Sequence, residues 1–165
     1  MESEELEGAE PTVIMPEKDA PSGVPDPEAA EFSEPGTVHA LGVVGELGSL
    51  LGSPVTPPYT SISTASNLWS VSCNGGSSRD LGYIWKVPAT GSYTFSTGGS
   101  NFDTVLQIRN FRNTSEVMGC NDDTSTTEQS RITLSGLIKG SMLLIIIEAY
   151  DARYGNFARL NITKN

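Results

Sequence analysis

The sequence predicts an all-β domain, a sandwich or barrel of short strands, preceded by an extended, acidic, Pro-rich N-terminal arm. From about residue 60, short stretches of alternating apolar and polar residues are separated by turn residues at regular spacing. One run, 142–147, is apolar throughout but much too short to cross a bilayer. Charge is also divided unevenly. Residues 1–50 carry twelve carboxylates against one lysine, whereas residues 51–165 carry eight carboxylates and nine basic side chains.

The arm is assigned to residues 1–58, and Glu, Pro, Ala and Ser predominate in its first part. Such a segment buries too little apolar surface to offset the entropy lost on ordering, so we expect it to be intrinsically disordered unless it docks on a partner. Residues 37–51 are more apolar but contain three glycines, which leaves a short helix and an extended strand packed on the body both open. The GSPVTPP segment at 52–58 marks the boundary with a β-sandwich domain at 59–165.

Apolar residues interrupt this arm and are candidates for contacting a neighbouring subunit: Val13, Ile14, Met15, Leu41, Val43, Val44 and Leu47. The acidic charge disfavours nucleic acid and anionic membranes as partners, because both are negatively charged. The first ten residues lack the positive start and apolar core of a secretory signal, and no run is long enough for membrane insertion. The residues therefore leave a cytosolic protein, a virion protein and a fragment without its leader all open. Two roles for the arm are open. It is either a solubilising tail or a segment that joins the subunits of a homo-oligomer, filament or virion.

The predicted strands are the alternating or apolar stretches 83–87, 93–97, 102–109, 116–119, 130–134, 142–147 and 157–162. A turn at 88–91 separates the first two, so we expect them to pair as a hairpin. The run at 142–147 should be a central strand covered on both faces. The core is expected to draw on the large apolar side chains Trp85, Tyr93, Phe95, Leu106, Ile108, Leu134, Leu144, Ile146 and Leu160.

The predicted domain lacks the residues of the common catalytic sites. Nucleophilic hydrolases need an imidazole beside the nucleophile, and the one histidine of the chain, His39, lies in the arm. No spacing favours a catalytic carboxylate pair, a phosphate-binding glycine loop or a closed zinc site. We therefore expect a protein that is not an enzyme.

Oxygen-rich side chains form the remaining candidate site. Asn121, Asp122 and Asp123 follow one predicted strand, and Asp103 and Glu148 could approach from neighbouring strands. Calcium is bound by roughly six to eight oxygen ligands of this kind. Asn and Asp side chains also bond the local backbone in turns. A calcium site and a structural turn are therefore both open.

A series of motifs in this domain resembles a known family. In order, they are YIWKVPATGSYTFST, GSNFDTVLQIR, GCNDD, the apolar strand that ends in EAY, and YGNFARLNI. Over about residues 65–164, this arrangement resembles the bacterial pre-peptidase C-terminal (PPC) domain. The resemblance implies a jelly-roll-like antiparallel β-sandwich with a non-catalytic role in binding, adhesion or secretion, with calcium bound in some relatives. It also implies an extracellular or cell-surface location and a protein or surface polymer as partner.

By position, residues 102–104 and 121–123 match the acidic motifs of this family, while Tyr150 and Gly155 match its C-terminal turn. The resemblance thus favours calcium at the acidic residues. Many relatives have a further cysteine shortly before the GCNDD cysteine, which is absent here. Cys120 therefore either pairs with Cys73 or stays a free thiol.

Overall fold

The computed structural model describes residues 43–56, 61–73, 78–151 and 157–165. Their strands, in chain order, are β1 (Val43–Glu46), β2 (Asp80–Lys86), β3 (Gly91–Ser96), β4 (Thr104–Asn110), β5 (Asn113–Asn121), β6 (Arg131–Leu137), β7 (Met142–Ala149) and β8 (Asn161–Lys164). The larger sheet has the order β1-β2-β7-β4-β5 and the smaller one β6-β3-β8. The predicted all-β, antiparallel-rich sandwich is confirmed, with one parallel pair, β1 and β2. None of these residues forms a helix with the length and apolar character of a membrane span.

The main core lies between the two sheets, because each strand turns alternate apolar side chains inward. Trp85 of β2 is fully buried. Its ring meets Tyr93 and Phe95 of β3 edge-on, with 5.2 and 5.5 Å between ring centroids. Leu106 and Ile108 of β4 face the same core, as predicted. These aromatic contacts hold the two sheets together, since buried aromatic side chains remove large apolar areas from water.

β2 and β3 do not form the predicted hairpin. β2 pairs with β7, whereas β3 pairs with β6 and β8, so the two strands lie in different sheets. The turn at residues 87–90 carries the chain from one sheet to the other. Alternation in the sequence indicates which side chains are buried, but it does not identify the strand that supplies the hydrogen-bond partners.

A second apolar cluster covers the outer face of the larger sheet. Leu144 and Ile146 of β7, predicted as core residues, belong to this cluster and are fully buried. Trp69 and Val71, from the covering segment (residues 66–73), pack on the same face. All eight residues of β7 are therefore buried, which confirms the prediction of a central strand covered on both faces. Leu134, also predicted as core, is only partly buried against the main core.

Residues 43–56, assigned to the arm from the sequence, belong to the sandwich. β1 adds to the larger sheet beside β2, which realises the extended-strand alternative. The chain then crosses to the smaller sheet, where Gly52 forms an antiparallel bridge with Ile162 of β8 and Val55 donates its N–H to the Leu160 carbonyl at 2.8 Å. The domain therefore begins at or before Val43 and not at residue 59, because residues 43–56 cover one open side of the apolar core.

Two of the apolar arm residues are used by the domain itself. Val43 and Leu47 are buried in its own clusters, so they do not offer contacts to a neighbouring subunit. Val44 is about half exposed. The other four lie outside the residues that the structure describes: Val13, Ile14, Met15 and Leu41.

Candidate metal centre

Three carboxylates, Asp103, Asp122 and Asp123, converge at one end of the larger sheet and form what is called here the acidic cluster. One oxygen from each lies within 4.8 Å of the others. Asp103 directly precedes β4, and the other two directly follow β5. Because β4 and β5 are antiparallel neighbours, with Leu106 opposite Asn121, the start of one strand adjoins the end of the other. Strand pairing thus brings together residues that are distant in sequence.

A buried hydroxyl network fixes the two sides of the acidic cluster. Thr104 Oγ1 lies 2.6 Å from Thr97 Oγ1 and 3.1 Å from Ser130 Oγ. Ser130 Oγ also lies 3.0 Å from the Thr104 carbonyl oxygen and 2.6 Å from that of Asp122. A buried hydroxyl without a hydrogen-bond partner destabilises the fold. These buried hydroxyls can all form their bonds only when the start of β4 lies against the loop after β5, so the network fixes that arrangement. The sequence does not identify these residues as part of the site, because a small hydroxyl side chain at a strand end is their only recognisable feature.

The loop after the acidic cluster is closed by its own side chains. Thr124 donates its N–H to the carbonyls of Thr127 and Gln129, at 3.1 and 3.2 Å. The hydroxyl of Thr124 accepts the N–H of Thr127 at 3.1 Å. Gln129 Nε2 donates to the Phe102 carbonyl at 3.1 Å, which ties the loop to the residue before Asp103. The bonds that close this loop come from Thr124 and Gln129, so a turn held by the Asn and Asp side chains themselves stays a prediction.

The other two predicted ligands have different surroundings. Asn121 Oδ1 accepts the N–H of Arg131 at 2.9 Å, which joins the end of β5 to β6. Glu148 lies on β7 directly opposite Asp80 of β2, and its Oε2 accepts the N–H of Ser78 at 3.1 Å. Glu148 is not among the carboxylates that the structure brings together at the acidic cluster.

Asp103 has the most perturbed carboxyl of the acidic cluster. Its Oδ1 is buried and accepts no hydrogen bond from the residues that the structure describes. The pKa of Asp103 is raised to about 6, chiefly by burial and further by the negative charges of Asp123, Asp122, Glu128 and Asp151. A cation among these oxygens would relieve the repulsion and favour the ionised form.

Tyr150 lies beside the acidic cluster. Its N–H donates to the Asp103 carbonyl at 2.9 Å, and its side chain is exposed. Gly155, which the resemblance pairs with Tyr150 in the C-terminal turn, lies outside the described residues. The backbone of Asp103 is thus held by the end of β7 as well as by the loop after β5.

A second pair of carboxylates, Asp80 and Glu148, is separate and almost fully buried, at 3% and 0% exposure. Asp80 Oδ2 accepts the N–H groups of Leu68 and Trp69 at 3.0 and 2.9 Å. Burial raises the pKa of Asp80 to about 6; the two N–H donors oppose this shift and Glu148 adds to it. The pair anchors the covering segment to β2.

The other end of the covering segment is fixed to β4 and β5. Cys73 forms a disulfide with Cys120 of β5, so of the two sequence alternatives the structure has the paired one. Arg109 of β4 donates to the Ser70 carbonyl, and its guanidinium carbon lies 5.3 Å from the centre of the Trp69 ring. The covering segment is therefore attached across the whole width of the sheet from β2 to β5.

The outer face of the smaller sheet carries an ordered set of seven uncharged polar side chains and one arginine. Strand pairing aligns two rows across β6, β3 and β8, which are Arg131, Ser96 and Asn161, and then Thr133, Thr94 and Thr163. Ser92 and Asn165 extend the pattern, with Asn165 Nδ2 donating to Ser92 Oγ at 2.9 Å. The hydroxyls of Thr94 and Thr133 lie 3.0 Å apart. This polar face, defined by these eight residues, contains one cation and no carboxylate.

These features define an all-β sandwich with an acidic cluster at one end of its larger sheet. No protein-family model matches the sequence, and no curated protein matches it. Among solved structures, the chain is similar to the pre-peptidase C-terminal domain of a collagenase from Bacillus anthracis. The TM-score is 0.48 and the sequence identity is 10%, over 73% of this chain and 96% of that chain. The sandwich assignment rests on the strand order and burial described above.

Proposed function

We propose that this domain is a non-catalytic binding module of the PPC kind, stabilised by a calcium ion at Asp103, Asp122 and Asp123. The observation that carries the calcium proposal is the convergence of three carboxylate oxygens within 4.8 Å. The pKa of Asp103, raised by burial and by neighbouring negative charge, supports it, because a bound cation would offset that charge. Calcium therefore acts here as a structural ion that joins the start of β4 to the end of β5.

The donor set fits calcium better than zinc. All three side chains supply hard oxygen atoms, whereas structural zinc is held mainly by Cys sulfur and His nitrogen. The two cysteines of the chain are joined in the disulfide with each other. Carbonyl oxygens of the irregular loop after β5, together with water, would complete the six to eight oxygens that calcium generally takes, roughly 2.3–2.6 Å from the ion.

The non-catalytic role is supported by the placement of the titratable groups. The only histidine, His39, lies outside the residues that the structure describes. Asp80 and Glu148, the other close carboxylate pair, are buried beneath the covering segment and bonded to backbone N–H groups, so a substrate has no access to them. These carboxylates are better explained as anchors of the fold than as a general acid and base.

For the binding role, we assign the contact surface to the polar face of the smaller sheet and the partner to a protein or an uncharged surface polymer. Its hydroxyls and amides are held by one another in fixed positions. Rigid donors and acceptors lose little entropy on binding. An arm that holds neighbouring subunits is the alternative from the sequence. Because Val43 and Leu47 are buried in their own domain, the binding module is the function proposed here.

The calcium proposal is tested by thermal unfolding of the EDTA-treated protein with and without millimolar CaCl₂. At a calcium concentration of 100 Kd, the expected stabilisation is about 2.7 kcal/mol. The paired change Asp122→Asn with Asp123→Asn should abolish the shift, while Glu116→Gln, at the far end of β5, should retain it. An unchanged midpoint in calcium, or the same shift in the double variant, would contradict the proposal.

The binding proposal is tested by co-sedimentation with insoluble cellulose, peptidoglycan and gelatin fibres. Thr94→Lys with Thr133→Lys should weaken binding at least several-fold, because both side chains occupy the centre of the polar face. Thr126→Lys with Thr127→Lys adds the same charge on the exposed loop after the acidic cluster and should leave binding unchanged. Equal loss in both double variants would place the contact elsewhere, and sedimentation with none of the three would contradict a polymer-binding module.

A further inference from the structure

The turn between β2 and β3 (residues 87–90) is surrounded by three lysines. Lys86 is the last residue of β2. Lys139, in the connection between β6 and β7, donates its N–H to Thr90 Oγ1 at 3.0 Å. Lys164 of β8 reaches the same place, since its Nζ would lie 2.9 Å from a Cβ added to Gly91. Lys139 and Lys164 are exposed and Lys86 is partly so. These three residues are called here the lysine surface.

Two exposed apolar side chains border the lysine surface. Leu50 is 56% exposed, and its carbonyl accepts the indole N–H of Trp85, the residue before Lys86. Ile138 is 47% exposed and directly precedes Lys139. The lysine surface therefore combines positive charge with apolar contact area, which suits a ligand that carries both carboxylates and a few apolar residues.

The acidic and basic side chains are separated along the chain, and the first 42 residues have the composition of such a ligand. Residues 43–165 carry nine acidic and nine basic side chains, so the net charge of −10 arises from residues 1–42, with eleven carboxylates and one lysine. Within the domain, most carboxylates lie at the opposite end from the lysine surface, where the acidic cluster and the Asp80–Glu148 pair are found. This distribution of charge would repel an acidic segment at one end of the sandwich and attract it at the other.

We infer that the acidic N-terminal segment (residues 1–36) docks in cis on the lysine surface of its own domain. Its carboxylates would face Lys86, Lys139 and Lys164. The apolar run Val13 to Met15 would pack near Leu50 and Ile138. This interaction is independent of the calcium and polymer proposals, which concern other surfaces.

Chain connectivity favours the same molecule over a second copy. Val43 pairs with Gly82, four residues before Lys86 on β2, and this is a distance of about 13 Å along the strand. A random coil of 42 residues would span about 35 Å root-mean-square, which is long enough to reach the lysine surface. Tethering raises its effective concentration to the millimolar range. Residues 43–56 already pack on their own domain, and docking would continue that interface.

Carbodiimide cross-linking of the full-length protein tests the inference, since this reagent joins a lysine amine to a carboxylate only in direct contact. An equal mixture of ¹⁴N- and ¹⁵N-labelled protein, freed of calcium with EDTA and then of EDTA by gel filtration, is treated at 20 mM and 500 mM NaCl, then digested and mapped by mass spectrometry. We expect links from carboxylates of residues 1–36 to Lys139 and Lys164, within one isotope, and at least threefold fewer in high salt because surface charge is screened. Mixed-isotope links would overturn docking in cis, and links spread evenly over all lysines would overturn the assigned surface.

Two double variants provide a second measurement, the hydrodynamic radius at low salt. Lys139→Glu with Lys164→Glu should expand the protein to the radius of the wild type in 500 mM NaCl. Lys139→Arg with Lys164→Arg retains the charge and should keep the compact radius while removing the cross-links. Arg131→Glu, at the other end of the sandwich, is the control for charge reversal and should remain compact. A radius that is the same in the wild type and the Glu variant at both salt concentrations would overturn the inference.

Discussion

Asp80 and Glu148 lie directly opposite each other on β2 and β7, and both side chains are almost fully buried. Asp80 is held in this position by the backbone N–H groups of Leu68 and Trp69. Burial, reinforced by the charge of Glu148, raises its pKa from 3.8 to about 6. The folded protein therefore binds a proton at Asp80 more tightly than the unfolded chain does.

The domain is expected to become more stable as the pH falls from 7 towards 5. A carboxyl whose pKa is raised on folding contributes stability that is complete below pH 3.8 and is lost as the pH rises through about 6. The upper bound for Asp80 is about 3 kcal/mol. Asp80→Asn should flatten this dependence and unfold at higher urea concentration than the wild type at pH 7. Urea unfolding in EDTA at pH 7, 6 and 5 measures both effects, and an identical pH profile for the two proteins would refute the assignment.

Calcium affinity is expected to decrease as the pH falls below about 6. The pKa of Asp103 is raised to about 6 by burial and by the adjacent carboxylates, so protons compete with the cation at this group. Binding at pH 6 should release a fraction of a proton, and binding at pH 8 almost none. Calorimetric titration in two buffers of different ionisation enthalpy measures this release. A Kd that is constant between pH 5.5 and 7.5 would show that Asp103 is not a ligand.

The acidic cluster illustrates what the sequence can predict. Asp103 begins one recognisable strand pattern, and Asp122 and Asp123 end the next, so adjacent strand ends bring them together. The position of Glu148 could not be inferred in this way, because it depends on β7 lying between β2 and β4. Strand order is a non-local property, and a local alternation pattern contains no information about it.

The same limit explains the misassigned hairpin. Alternation at Trp85 and Tyr93 correctly indicated that both rings are buried. However, they meet across the sandwich and not along one sheet. Leu144 and Ile146 are buried, as predicted, but an entirely apolar strand has no pattern that shows which of its faces points to the core between the sheets. The residues 43–56 were assigned to the arm because their glycines and prolines mask a short strand and its connection.

Removal of the disulfide should destabilise the domain and loosen the covering segment. The Cys73–Cys120 bridge joins residues 47 apart in sequence, and closing a loop of that length stabilises a fold by about 2–4 kcal/mol. Cys73→Ser with Cys120→Ser should lower the unfolding free energy by that amount and shift Trp69 emission to the red, since Trp69 is part of the bridged segment and packs on the outer face of the larger sheet. The wild type in reducing agent should behave like the double variant. Unchanged emission would mean that Asp80 and Arg109 suffice to hold the segment.

Gly119 of β5 lies against two side chains of β6. A Cβ at this position would lie 2.8 Å from Ile132 Cγ2 and 3.5 Å from Leu134 Cδ2. Gly119→Ala should therefore push the two sheet edges apart and cost about 1–3 kcal/mol. Ser115→Ala, at an exposed position of the same strand, should change stability by less than about 0.5 kcal/mol. Chemical unfolding measures the stability of the two variants. Equal midpoints would show that β5 and β6 can move apart without a loss of unfolding free energy.

Truncation distinguishes the acidic segment from the part of the chain that belongs to the fold. Deleting residues 1–42 removes none of the described sandwich, so in 500 mM NaCl, where docking on the lysine surface is screened, the thermal midpoint should remain close to that of the full chain. Deleting residues 1–52 removes β1, the buried Leu47 and the Leu50 carbonyl that accepts the Trp85 indole N–H at 2.8 Å. It also removes Gly52, whose bridge to Ile162 joins this edge to the smaller sheet.

The longer deletion should cost roughly 4–9 kcal/mol. Full burial of a Val or Leu side chain contributes about 1.5–3 kcal/mol, and Val43 and Leu47 are both lost. The indole N–H of buried Trp85 would also lose its acceptor, at about 1–3 kcal/mol. Because these losses fall on one edge of the core, the shorter protein should also bind a hydrophobic dye that the 1–42 deletion does not bind. Equal midpoints for the two truncated proteins would contradict the assignment of residues 43–52 to the sandwich.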